Sequence, residues 1–211
     1  EITGSLVISG SFIPRGPGVS HISNVSIGQN AGPGLMSTGQ GNVLIGDNAG
    51  ELLDDEDYAV LIGSSAGRSL QYSSGPHSNV FIGGAAGRNL RGTLGVAADA
   101  IDGNVLIGLA AGYGAVIGNT DGVKYNTGIG QNSLYYINGG QGNTTIGFEA
   151  GKSISSGDGN IILGSGSLGT DNLSNQLRIG NSNSLVTISA SLATGDIIFP
   201  STASAAYFSG D

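Results

Sequence analysis

The stretches NVLIGDNAG at 42–50, AVLIGSSAG at 59–67, NVFIGGAAG at 79–87 and NVLIGLAAG at 104–112 decide the fold, because they are copies of one unit. Working outward, NVSIGQNAG precedes them at 24–32. NTGIGQNSL at 126–134, NTTIGFEAG at 143–151, NIILGSGSL at 160–168 and the degenerate QLRIG at 176–180 follow. The corner glycines are Gly28, Gly46, Gly63, Gly83, Gly108, Gly130, Gly147, Gly164 and Gly180, spaced by 18, 17, 20, 25, 22, 17, 17 and 16 residues. A unit this short buries its apolar side only against its neighbours. The chain is therefore expected to be all-β: a repetitive parallel β-roll or β-solenoid of nine coils over 24–180.

Each unit reads as a short strand, a glycine corner, a second extended piece and a polar return. Val and Ile stand two apart and share one strand face, assigned here to the coil interior. Glycine after the Ile opens a backbone angle that a β-branched residue resists, and the Ala-Gly pair beyond it lets neighbouring chain approach. Asn opens most units, preceded by Gly at 41, 103, 142 and 159, and stacked coils let such amides bond in a ladder. The residue between Val and Ile is then expected to point outward. Leu44, Leu61, Phe81 and Leu106 hold this place in four consecutive units, and an apolar stripe of that kind marks an interface. They are expected to form the contact of a homotrimer, intertwined or side by side; the alternative is a cover from residues 88–103 or 113–125.

Of 211 residues 40 are Gly, only 10% are charged and none is Cys, which argues against a helical bundle, a disulfide framework and thiolate metal sites. The glycines follow no three-residue period, so collagen is excluded. A net charge of −8 with scattered basic residues argues against nucleic acid. Apolar runs of about four residues argue against membrane insertion, which takes roughly 20. Residues 1–23 read as a lead-in strand and Gly/Pro linker, and 181–211 as a C-terminal β segment linking to a following region.

NTGIGQNSLYY at 126–136 and NTTIGFEAG at 143–151, separated by GGQGN, resemble the NTAIG-type repeats of bacteriophage tail-fibre and other virion appendage proteins. More distantly they resemble the SVAIG-type repeats in the heads of YadA-like trimeric autotransporter adhesins. The resemblance covers 24–180. The flanks ITGSLVISGSF at 2–12, QLRIGNSNSLV at 176–186, LATGDIIFP at 192–200 and AAYFSGD at 205–211 are similar to segments of marine phage structural proteins. It implies a trimeric β-roll on a virion appendage outside the cell, alongside other virion proteins and meeting a host-surface glycan or protein. The same repeats also suit a bacterial surface adhesin or filament, or a glycan-cleaving tailspike. The adhesin coil is shorter than the 16 to 25 residues found here.

Catalysis finds little support, and no enzyme activity, cofactor or metal is expected. His21 and His77 have no acid at triad-like or zinc-like spacing. The run Asp54, Asp55, Glu56 and Asp57, near Asp47 and Glu51, reads as a solvated return, and Asp99, Asp102, Asp121 and Glu149 are scattered. Recognition is expected where the period stretches, at the 25- and 22-residue intervals, because inserted residues must leave the roll as loops. Those segments hold Arg88, Arg91, Tyr113 and Tyr125, and the next return holds Tyr135 and Tyr136. These residue types are enriched at binding hot spots, and an aromatic face can stack on a sugar.

Overall fold

The computed structural model describes residues 24–33, 39–53, 58–70, 78–92, 101–114, 122–166, 174–182, 185–195 and 197–198. Each of the first eight units contributes one three-residue strand: β1 (Val25–Ile27), β2 (Val43–Ile45), β3 (Val60–Ile62), β4 (Val80–Ile82), β5 (Val105–Ile107), β6 (Thr127–Ile129), β7 (Thr144–Ile146) and β8 (Ile161–Leu163). They lie in chain order in one sheet, each parallel to the last, with like unit positions paired: Leu44 opposite Leu61, Leu61 opposite Phe81, Phe81 opposite Leu106. No helix occurs among the described residues. The result is a parallel β-solenoid of about seven turns. Coils are numbered below by the strand they carry.

The expected ninth coil does not close. β9 (Gln176–Ser182) adds to β8 in parallel, but the chain then doubles back through β10 (Leu185–Ser191) and β11 (Ile197–Ile198), both antiparallel. Arg178 explains the change, since it occupies the middle strand place that holds Leu, Phe or Ile in most other coils. A guanidinium in a one-side-chain-wide apolar interior would be prohibitively desolvated.

A second correction concerns the strand faces. Leu44, Leu61, Phe81 and Leu106 are fully buried inside a single chain, as are Thr145 and Ile162 at the same place. They are core residues, not an intersubunit stripe, and the Val and Ile on either side face outward. The coil is narrow. It holds one large strand side chain, an alanine from beyond the corner (Ala49, Ala66, Ala86, Ala111 or Ala150), and an apolar residue from the second wall (Leu53, Leu70, Leu90, Ile137 or Ile154). Two β-branched columns would not fit. Each buried Leu or Phe contributes about 1.5–3 kcal/mol, so the interior stripe is a principal support of the roll.

The opening asparagines share the inward face and form the expected ladder. Asn104 Nδ2 donates to Asn79 Oδ1 (3.0 Å), Asn126 to Asn104 (3.1 Å), Asn143 to Asn126 (2.9 Å) and Asn160 to Asn143 (2.8 Å). The same Oδ1 atoms accept the backbone N–H of the following Asn, so each amide pins two coils. Burial without these bonds would be costly, and the ladder satisfies it. In coil 3 Ala59 replaces Asn, but its N–H still reaches Asn42 Oδ1 at 2.8 Å.

The corner glycine has φ between 130° and 138° in all eight coils. A Cβ on Gly63 would stand 2.5 Å from the carbonyl oxygen of Gly83. Both the angle and the contact exclude any other residue, which is why the Ile-Gly pair recurs. Beyond the corner the second wall is also bonded from coil to coil, for example Gly87 N–H to Ala111 O (2.9 Å) and Asn89 N–H to Tyr113 O (2.9 Å).

Candidate binding surface

Two outer surfaces carry side chains not needed by the core. The first is the outward sheet face. Its two columns run from Val25 to Ile161 and from Ile27 to Leu163, and none of their sixteen residues is charged. Ile27 is 57% exposed, and the next column adds Leu109 and Phe148, 55% and 50% exposed. Seven intervals of about 4.8 Å make this face roughly 34 Å long. At about 10 Å wide, two side-chain columns give an apolar area of several hundred Å², comparable to the largest patch of a typical monomer.

The second surface lies around the corner, at the fifth residue after each corner glycine. Glu51, Arg68, Arg88, Tyr113, Tyr135 and Lys152 occupy it in coils 2 to 7. The second-wall bonds set these positions at matching places from coil to coil, which brings Arg68 onto Glu51 and both Arg88 and Tyr135 onto Tyr113. Arg68 pairs with Glu51, which raises the guanidinium pKa above its ordinary value through that hydrogen bond. Arg88 Nη1 donates to Tyr113 Oη (3.4 Å), and its guanidinium carbon lies 5.9 Å from that ring's centre. Tyr113 stacks on Tyr135 with centroids 4.9 Å apart and planes 3° from parallel, and Tyr136 meets Tyr135 edge to face at 4.8 Å. Lys152 Nζ donates to Glu149 Oε1 (2.7 Å). That bond holds the Glu149 carboxyl below its ordinary pKa and lifts the Lys152 ammonium above its own.

The structure thus gathers four of the six residues singled out for recognition: Arg88, Tyr113, Tyr135 and Tyr136. They do not ride on inserted loops as expected. Arg88 and Tyr113 are part of the coil wall, because the chain continues in register through the Ala-Gly corner before any insertion begins. The inserted residues 93–100 and 115–121 lie outside the described residues, as do His21, His77, Asp54, Asp55, Glu56, Asp57, Asp99 and Asp121. Arg91 is exposed just past the wall. Tyr125 stands elsewhere, on the turn before the strand; it is 63% exposed, and its ring passes so near Gly103 that a Cβ there would lie 2.7 Å away. Tyr58 repeats that arrangement over Gly41. Arg68 and Lys152 complete the row, and aligning the units five places past the corner reveals both.

Sugar stacking on Tyr113 is not available as foreseen, since Arg88 and Tyr135 are stacked against its ring. Tyr136, 51% exposed, keeps accessible ring surface. Of the acids near the 54–57 run, Asp47 accepts from Gln29 N–H (3.3 Å) and Glu51 is paired with Arg68. Of the scattered ones that are described, Glu149 is paired with Lys152 and Asp102 lies on a parallel β-bridge to Lys124. Among the described residues no three His, Asp or Glu converge on a possible metal position, and no helix is long and apolar enough to cross a membrane. No family model, curated protein or solved structure matches the chain.

Proposed function

We propose that the chain is a non-enzymatic structural segment of a homotrimeric virion appendage, a shaft outside the cell that holds, or contributes to, a host-attachment surface. The uncharged outward sheet face carries this reading. Its columns repeat at the coil spacing, so a second copy of the same chain, turned about an axis parallel to the solenoid, sets like against like over the whole length. A partner of any other period would lose register within a few coils. The number three comes from the resemblance to trimeric rolls, and the attachment role from the resemblance to tail fibres. The interface residues are the outer Val and Ile columns instead of Leu44, Leu61, Phe81 and Leu106.

The test is mass in solution. Ile62→Asp with Ile82→Asp places two carboxylates on the outer face without touching the core, and it is expected to give folded monomer from a wild-type trimer. A monomeric wild type, or a variant that stays trimeric with the same melting temperature, overturns the assembly. Release of reducing sugar from capsular or lipopolysaccharide glycan by the purified protein overturns the non-enzymatic part.

A further inference from the structure

The row beyond the corner differs from the rest of the molecule in its hydrogen-bonding sense. The chain carries 15 acidic residues against 7 basic ones, yet from coil 3 to coil 7 the row reads Arg68, Arg88, Tyr113, Tyr135, Lys152 without an acceptor-only side chain. Its single acid, Glu51, stands at the end and is taken by Arg68. The stacked rings turn their faces toward each other from coil to coil, so what they offer sideways is a pair of hydroxyl-bearing rims one coil apart. Arg88 donates to Tyr113 Oη, which leaves that phenol's own proton free to donate outward and strengthens it as a donor. Tyr136 adds an exposed ring beside them.

We propose that this row binds an acidic polysaccharide, one whose sugars carry carboxylates, lying along the shaft. Arg88 and the Tyr113 and Tyr135 hydroxyls face its carboxylates, Lys152 adds a further ammonium donor, and Tyr136 packs on a sugar's apolar face. A guanidinium beside phenols suits planar carboxylates, which accept charge-assisted bonds. Three cations, of which Arg68 is bonded to Glu51 and Lys152 to Glu149, are too few for duplex nucleic acid, whose affinity scales with the phosphates neutralised. The proposal rests on the shaft reading in placing the row on the outside, because it lies around the corner from the sheet face assigned to self-association.

The experiment titrates the intact assembly with hexagalacturonate, following tyrosine fluorescence and calorimetric heat. Maltohexaose is the neutral control and oligoglutamate the acidic peptide control. Hexagalacturonate is expected to bind and to weaken as salt rises, with maltohexaose and oligoglutamate each at least about tenfold weaker. Arg88→Gln and Tyr136→Ala are each expected to lose about tenfold in affinity, while Tyr125→Ala, on a different column, loses none. No uronate binding at millimolar concentration overturns the proposal, as does equal binding of either control or unchanged affinity in both row variants. Mass in solution checks that each variant keeps the wild-type assembly, so failure here leaves the shaft reading standing. Failure of Ile62→Asp/Ile82→Asp to dissociate the assembly removes the interface and leaves the row intact.

Discussion

Coils 5 and 6 are neighbours built on the same plan, yet they fill it in opposite ways. In coil 5 the middle strand residue is Leu106 and the fourth residue after the corner is Gly112, where a Cβ would meet Leu106 Cδ1 at 2.4 Å. In coil 6 the strand residue is Gly128 and the fourth residue is Leu134, fully buried. A Cβ on Gly128 would lie 3.3 Å from Leu134 Cδ1, so the large side chain has crossed the interior and fills it from the other wall. The exchange has a backbone consequence. Gly112 sits at φ 55°, which glycine tolerates, but Leu134 adopts φ 52°, unfavourable for a leucine by about 1–2 kcal/mol. In coils 2 to 6 the space between the strand and the corner is therefore filled by one large side chain, and the wall that supplies it can change; coil 7 sets Thr145 opposite Gly151 there. The exchange also admits a hydroxyl: Ser133 replaces the usual alanine, and its Oγ lies 2.6 Å from Thr145 Oγ1 in coil 7.

The largest effect should come from putting both large side chains into one coil. Gly112→Leu alone overpacks coil 5 and strains the corner, and a loss of about 4 kcal/mol is expected by thermal melting. Adding Leu106→Gly rebuilds the coil 6 arrangement and should recover more than half of that loss. If the double variant is no better than the single one, the two positions do not share a volume. The reverse experiment in coil 6 is gentler. Leu134→Gly relieves the strained angle but opens a cavity, for a net loss of about 2–3 kcal/mol. Leu134→Gly with Gly128→Leu should return to wild-type stability or rise about 1 kcal/mol above it, and a double variant weaker than Leu134→Gly would break the comparison.

The smallest effect concerns the outer turn, where Glu149 of coil 7 bonds Lys152 and reaches Asn132 of coil 6 at 3.5 Å. Coil 5 has Ala110 at the matching turn place and no such contact. Because the folded state lowers the Glu149 pKa, its stabilisation is complete above the ordinary value of 4.5 and disappears as pH falls through the folded value. The raised Lys152 pKa acts in the opposite sense: its share is complete below 10.5 and disappears as pH rises through the folded value. Glu149→Gln should thus lower the melting temperature slightly and evenly between these limits, with the difference from wild type closing on both sides. A difference that grows in acid would contradict the pairing.

Much of this architecture is legible in the residues alone. The spacing of Ile-Gly pairs announces stacked coils, the corner glycines mark a backbone angle closed to other residues, and the opening asparagines announce their ladder. The strand faces read the wrong way round for a definite reason. A three-residue strand contains a single alternation, so Val-x-Ile can point either way, and counting apolar residues favours two inward over one. The better signal lies outside the strand. Asn two places before the middle residue shares its face and must be buried to bond its neighbours, while the Ala-Gly pair is small because something large sits opposite. In the same way Arg88, Tyr113 and Tyr135 stand out one by one in the chain, but their alignment into a stack needs the register of the second wall.

By itself the sequence determined the architecture: the period, the corners, the polar ladder and the all-β class follow from residue types at fixed spacing, because backbone angle and amide bonding are local properties. Only the tertiary structure decided what is inside and what is out, why the ninth unit opens into a hairpin, and which distant residues become neighbours. Those outcomes depend on how much volume a closed coil encloses, a quantity shared between two walls and carried by neither segment alone.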